Sequence, residues 1–268
     1  ALQNLIEQGL QNNTDLQSAH WRIKESEASL KAAKLAFLPS FSLAPQGTVS
    51  SFDKSKAVQT YTLPVAASWE VDIFGRVFNA KRQAKAVLEQ SKDYAQAVQT
   101  QLIATIANNY YTLLMLDEQL RIAESTEQIW KESLESTRAL KEAGYTTEAA
   151  VAQTEATYYS IRTTVLDLHE QINQVENALS LILAETPHNI QRGQLAGQVM
   201  PEHFSVGIPL QMLANRPDVR NAERGMEQAF YGVNQARTAF YPSVILSGSA
   251  GWTNNSGAGI VNPGKLLA

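Results

Sequence analysis

From Val77 to Ala143 the chain contains neither proline nor glycine. At 1.5 Å per residue a helix over that run is about 100 Å long. Helices of globular domains average about 11 to 12 residues, so a soluble globule has no need of such a rod. Its apolar residues include Val98, Leu102, Ile106, Tyr110 and Leu113 at helical spacing, and Ile103, Ala107, Tyr111 and Leu114 widen the stripe. A stripe this broad suits a helix with partners on more than one side.

The segment leading to the rod changes period. Residues 2–37 carry Leu2, Leu5, Ile6, Leu10, Leu16, Trp21, Ile23, Leu30 and Phe37 in mostly helical steps. Asn12-Asn13-Thr14-Asp15 interrupts them like a cap, so one helix ends near Gln11 and another starts near Thr14. Pro39 stops the second helix by disfavouring helical backbone at Leu38. From Ser40 the period is 2. Phe41, Leu43, Pro45, Gly47 and Val49 alternate with small or polar residues, SFDKSK turns, and Tyr61, Leu63, Val65, Ala67, Trp69 and Val71 alternate again. This predicts a β-hairpin over 40–71. A half-buried soluble sheet has the same pattern. Two details favour membrane strands: arms near the length a tilted strand needs to cross a bilayer, and a second face of Ser, Thr, Gln and Ala suited to a water-filled lumen. Asp72 and Gly75 then shape the corner into the rod, the first as acceptor for free helix amides and the second as supplier of an unusual backbone angle.

At the far end, Gly144-Tyr145-Thr146-Thr147 reverses the chain. Gly144 stands where a left-handed C-cap belongs, and Thr147 is the N-cap of a return helix over 147–185 that Pro187 ends. An irregular segment, 187–207, precedes helices over 208–240, joined at Asn215-Arg216-Pro217-Asp218 with Pro217 at a first helical position. The ascending lengths add up to about that of the rod, which suggests one long helix paired with two shorter ones.

The helix exit is written twice. AKLAFLPSFSL at 33–43 aligns without a gap with ARTAFYPSVIL at 236–246, and at the same offset Asn12 falls on Asn215, Asp15 on Asp218 and Ala19 on Ala222. Strand alternation follows again over 243–252, with Val244, Leu246, Gly248, Ala250 and Trp252 on one face. The chain therefore reads as a first structural repeat, 1–203, and a partial second repeat, 204–268. The second repeat stops in the loop 253–268, before another hairpin arm or rod. An unpaired terminal strand is a liability, so a fragment of a chain nearer 450 residues is the expectation.

Composition narrows the chemistry. Net charge is −4 with 18% charged residues, which leaves no basic footprint for nucleic acid. There is no cysteine, hence no disulfide framework, thiolate metal site or cysteine nucleophile. No run of 18 apolar residues predicts a transmembrane helix. His20, His169, His188 and His203 lie far apart in no ligand spacing, and no phosphate loop or hydrolase motif occurs. No catalytic, cofactor-binding or metal residue is expected.

Four motifs together resemble the TolC-like outer membrane efflux proteins, especially their lipoprotein branch serving drug and metal pumps. They are SWEVDIFGR (68–76), ANRPDVRNAE (214–223), the two A-F-x-P-S exits, and GYTTEAAVAQTE (144–155). The resemblance implies a mainly α fold with a smaller β part. A long antiparallel helical hairpin would stand in a periplasmic tunnel, and four strands per subunit would close a twelve-stranded trimeric barrel in the outer membrane of a Gram-negative bacterium. Residues 187–207 would fall in an equatorial belt. Implied partners are two further copies, a periplasmic adaptor, an inner membrane RND-type pump and outer membrane lipid. The implied docking tip is Gly144, Tyr145, Thr146 and Thr147. The implied helix-to-strand junctions are Phe37, Pro39, Ser40, Asp72, Phe74, Gly75, Phe240, Pro242 and Ser243.

Three departures accompany it. The acylated N-terminal cysteine of the lipoprotein branch is absent, a capping-box acid is replaced by Ala150, and the second helical hairpin is missing. The expected function is a passive exit duct for small molecules or metal ions in a tripartite efflux pump. A type I protein-secretion duct and a soluble coiled-coil interaction protein are the alternatives. With three of four strands, this chain is expected to have a loose or atypically paired β part.

Overall fold

A computed structural model of the 268-residue chain describes residues 1–51, 57–198 and 210–254. Its helices are α1 (Leu2–Asn12), α2 (Thr14–Leu35), α3 (Arg76–Glu142), α4 (Glu148–Ile182), α5 (Leu210–Leu213) and α6 (Pro217–Thr238). The strands are β1 (Ser40–Leu43), β2 (Gln46–Ser50), β3 (Val58–Val71) and β4 (Val244–Asn254). The turn residues 52–56, the segment 199–209 and the loop 255–268 lie outside the described residues. Among the described residues no helix is long and apolar enough to cross a membrane.

Packing divides the chain into two compact units, Ala1–Trp21 with Tyr94–Leu213, and Arg22–Asp93 with Ala214–Ala268. The first unit holds the apolar core. Ile106, Leu113, Leu179 and Leu183 are fully enclosed, with Leu102, Tyr110, Leu114, Leu168 and Ile172 beside them. Positions 102, 106, 110 and 113 recur every three or four residues and so share the face of α3 turned to α4. Leu5 and Leu16 add α1 and the start of α2 to that core. Asn13 fixes the break between these helices. Its Oδ1 accepts from the Leu16 amide at 2.9 Å, capping α2, while its Nδ2 donates to the Ile182 carbonyl at 2.9 Å.

In the second unit the strands form one antiparallel sheet. β3 pairs with β1 and β2 on one side and with β4 on the other, where the register runs from Tyr61 opposite Asn254 to Val71 opposite Val244. The expectation of a loose β part gives way to this continuous ladder. The first hairpin arm is interrupted between β1 and β2 at Ala44-Pro45, yet its register does not slip: Leu43 faces Val65 and Gln46 faces Thr62. The reason is chemical. Ala44 stands opposite Pro64, which accepts from the Ala44 amide at 3.4 Å but has no N–H to return.

Helix ends account for the other differences. After Leu35 the chain tightens into i→i−3 bonds, Phe37 to Lys34 and Leu38 to Leu35, before Pro39. The return helix stops at Ile182, short of the expected 185, because Ala184 adopts φ +57°. The Glu185 amide donates to the Ser180 carbonyl at 2.9 Å and Ala184 to Leu181 at 3.1 Å, the bonding of a Schellman cap. An L-residue other than glycine is strained there by about 1–2 kcal/mol. Replacing Ala184 by glycine is therefore expected to stabilise the first unit by about 1 kcal/mol in urea unfolding; an unchanged midpoint would show the strain to be absent.

Candidate functional site

The reversal between α3 and α4 is built entirely from local rules. Gly144 has φ +79°, the Tyr145 amide donates to the Leu140 carbonyl at 2.9 Å, and the Gly144 amide donates to Lys141 at 2.9 Å. This is a glycine-bearing Schellman cap. Thr147 accepts from the Ala150 amide through its Oγ1 at 3.3 Å, and Ala150 has no side chain to return the bond, so the cap of α4 is one-sided. Lys141 pairs with Glu148 across the turn, and Arg138 pairs with Glu155 at 3.0 Å one turn further down. The Tyr145 ring stands 83% exposed, a large apolar surface on the loop between two helices.

The second feature of this unit was not foreseen from sequence. Arg192, in the irregular segment after α4, forks onto Asp117 of α3 through Nε at 2.5 Å and Nη2 at 2.8 Å. Its Nη1 donates to Glu176 of α4 and to the Ile190 carbonyl at 3.1 Å. Glu176 also accepts from the Ile190 amide at 3.2 Å, and the Tyr110 hydroxyl accepts from the Gly193 amide at 3.2 Å. Hydrogen bonding to Asp117 first, then to Glu176, raises the Arg192 pKa well above its ordinary value despite burial. The guanidinium thus ties the segment to both helices. Its signal in sequence is a lone arginine in a polar stretch, which carries no partner information.

The helix-to-strand junctions lie in the other unit. Trp69 of β3 donates its indole N–H to the Phe37 carbonyl at 3.0 Å, and the Ser40 hydroxyl donates to the Ser68 carbonyl at 3.1 Å. These bonds satisfy the exit from α2 where Pro39 has ended the helix. At the entry to α3, Gly75 has φ +77° and turns the chain so that Asp72 reaches back over the first turn. Its Oδ1 accepts from the Val77 amide at 3.1 Å and its Oδ2 from Phe78 at 2.8 Å. A carboxylate on those amides also meets the positive end of the helix dipole. Arg76 closes the corner by donating to Glu70 through Nε at 2.8 Å.

The second helix exit meets the corner into α3 here. Phe74 stacks on Tyr241 with ring centroids 4.8 Å apart and planes at 13°. Asp72, Phe74, Pro242 and Ser243 line one cleft of about 390 Å³, and Phe240 beside it is 91% exposed. The tip residues 144–147 belong to the other compact unit.

The unit of the junctions also contains a polar helix seam. Gln83 of α3 accepts from Gln235 of α6 at 2.6 Å, and Gln90 accepts from Gln228 at 2.5 Å while donating to Asn221 at 3.2 Å. Asp93, 1% exposed, meets Arg220 at 2.6 Å and Arg224 at 3.9 Å. Gly225 and Gly232 bring the α6 backbone close to the Gln90 and Gln83 amides. Among the described residues no group of three or more His, Cys, Asp or Glu is placed to hold a metal ion.

A sheet of alternating strands, long capped helices and a tight glycine reversal between two of them have counterparts among known proteins. A family model described as outer membrane efflux protein matches residues 5–185 and 208–265, and the chain belongs to this family. It is 27% identical over 266 residues to the probable efflux pump outer membrane protein TtgC of Pseudomonas putida, covering 94% of this chain and 54% of that relative. It is 26% identical over 248 residues to the probable outer membrane lipoprotein SilC of Salmonella typhimurium, covering 91% and 53% respectively. The solved outer-membrane channel OprN superposes with a TM-score of 0.84 at 25% identity, over 97% of this chain and 60% of its own. The open state of the MtrE outer membrane channel of Neisseria gonorrhoeae does so with 0.84 at 26% identity, over 98% and 60%. The chain spans little more than half the length of the curated relatives it matches.

Replacing Arg192 by methionine leaves Glu176 buried without its cation, a change expected to cost about 3–5 kcal/mol. Hydrogen exchange at the Ile190 and Gly193 amides should accelerate markedly in that variant. Arg192→Lys should recover only part of the protection, because a point charge cannot reproduce the fork on Asp117.

Proposed function

We propose that this chain is part of the outer membrane subunit of a tripartite efflux pump and that it serves as a passive exit duct. It catalyses no covalent change: the substrate moves down a water-filled path while an inner membrane pump supplies the energy.

The observation that carries this reading is the open face of the sheet. Phe41, Leu43 and Val49 on β1 and β2, Val65 and Trp69 on β3, and Leu246 and Trp252 on β4 share one face and are all at least 40% exposed. The opposite face carries Ser40, Ser42, Thr48, Thr60, Thr62, Ser68, Ser247, Ser249 and Thr253. Trp69 lies opposite Leu246 and Trp252 opposite Leu63, so the two indoles are six residues apart along the strands, about 20 Å. An apolar band with aromatic residues at both ends and a hydroxyl-rich reverse side fits a strand set between lipid and a watery lumen. Among the described residues neither edge, β1 with β2 or β4, carries a further strand, in keeping with closure by three copies.

Membership of the family supports placement in the outer membrane with the helices in the periplasm. Relatives are named for pumps of toluene, antibiotics and solvents, which favours small-molecule cargo over a secreted protein. In this reading Gly144, Tyr145, Thr146 and Thr147 meet the periplasmic adaptor or the pump, the exposed tyrosine supplying contact area. The nine junction residues hold the helical tunnel to the barrel wall. Opening is a repacking of helices biased by partner binding.

The intact protein is expected to purify in detergent as a trimer and to conduct ions across planar bilayers; a monomer without conductance sinks the proposal. Gly144→Val, which forces a β-branched residue to positive φ, should abolish drug resistance conferred by the pump while trimer and conductance persist. Loss of the trimer in that variant would assign the tip to assembly instead.

A further inference from the structure

The charges of the sheet-proximal helix ends are one-sided. Three ends converge there within one compact unit: Lys81 Nζ lies 5.6 Å from the centroid of Phe37 at the exit of α2, and Gln235 near the end of α6 bonds Gln83 near the start of α3. Within residues 31–38, 70–82 and 231–241 there are six cations, Lys31, Lys34, Arg76, Lys81, Arg82 and Arg237, against two acids, Glu70 and Asp72. The whole chain has net charge −4, so this band runs against the rest. Both acids are engaged, Glu70 with Arg76 and Asp72 with the first amides of α3. Lys31, Lys34 and Arg237 are exposed and have no ion-pair partner among the described residues. Arg82 lies over the rings of Phe78 at 4.3 Å and Tyr231 at 5.8 Å.

Between these cations and the strands lies an apolar and aromatic layer. Leu38 is 61% exposed, Phe74 43%, Phe240 91% and Tyr241 57%. Apolar strand face, aromatic layer, then unpaired lysine and arginine is the order in which acyl chains, the headgroup boundary and lipid phosphates follow one another across a leaflet. Long cationic side chains reach along such a boundary to the phosphates. We propose that this collar binds the headgroups of anionic phospholipids in the periplasm-facing leaflet, and so sets the depth at which the barrel sits. The inference rests on the channel reading, which makes the sheet a membrane wall.

The test uses the intact protein in phosphatidylcholine vesicles, with spin-labelled phosphatidylglycerol or phosphatidylcholine as probe and electron spin resonance reporting lipid held at the protein surface. Wild type should prefer phosphatidylglycerol, and the preference should weaken with added salt. The triple variant Lys31→Gln/Lys34→Gln/Arg237→Gln should lose about fivefold in that preference per cation removed, the scale of one lysine or arginine near an anionic surface. The control Lys131→Gln/Arg162→Gln should retain it. Conductance in pure phosphatidylcholine is measured for all three. A conducting wild type without headgroup preference overturns the collar and leaves the channel reading standing. A preference that survives the triple variant overturns it equally. Failure of the wild type to insert or conduct in any vesicle overturns both.

Discussion

The pairing surface of α3 is the constraint on which the other helices depend, and that surface changes chemistry along its length. In the unit that holds its later part, α3 shares one apolar cluster with α4 and its C-cap, Ile106, Leu113 and Leu114 with Leu179 and Leu183. Burial of such side chains is strongly favourable and indifferent to direction. In the unit that holds its first part, α3 meets α6 through Gln83, Gln90 and Asp93, and α6 buries no residue at all. There the free energy lies in directional bonds that each hold at one alignment. One stretch of the helix is fixed by how much it buries and the other by what it must face.

Buried charge follows the same division. Asp93 and Glu176 are both enclosed, Asp93 answered by Arg220 and Arg224 of α6 and Glu176 by Arg192 of the segment after α4. A desolvated carboxylate stripped of its cation is far worse than replacement of the whole pair. Such pairs add little net stability, but they make misaligned packing expensive. That suits helices whose apolar stripes, repeating every three or four residues, would tolerate a slip by one turn.

Much of this was legible in the sequence because it rests on residues acting within a few positions of themselves. The change of period at Pro39, the glycine at position 144, the threonine cap and the acid ahead of Gly75 each carry their own geometry. The repeat of the helix exit pointed to the two exits, although not to the stacking of Phe74, at the corner into α3, on Tyr241 of the second one. What escaped lies at longer range or breaks a local rule. Arg192 finds Asp117 from 75 residues away, and no spacing announces it. Gln83 and Gln90 carry no partner signal in sequence, since nothing in α3 alone reveals that Gly232 and Gly225 will lie over them. Ala184 occupies a left-handed position that sequence logic reserves for glycine, so the end of α4 was placed three residues late.

The proline pair in the sheet has a consequence for any strand added at that edge. The Ala44 amide points toward β3, so the next position along points the other way, to the open edge, and there Pro45 has no N–H to offer. A strand added along that edge therefore finds a vacant donor place at one fixed height. Away from water such a strand tolerates the gap only where its own carbonyl is satisfied by other means. The missing hydrogen thus acts as an index mark, restricting the offsets at which a further strand can be joined.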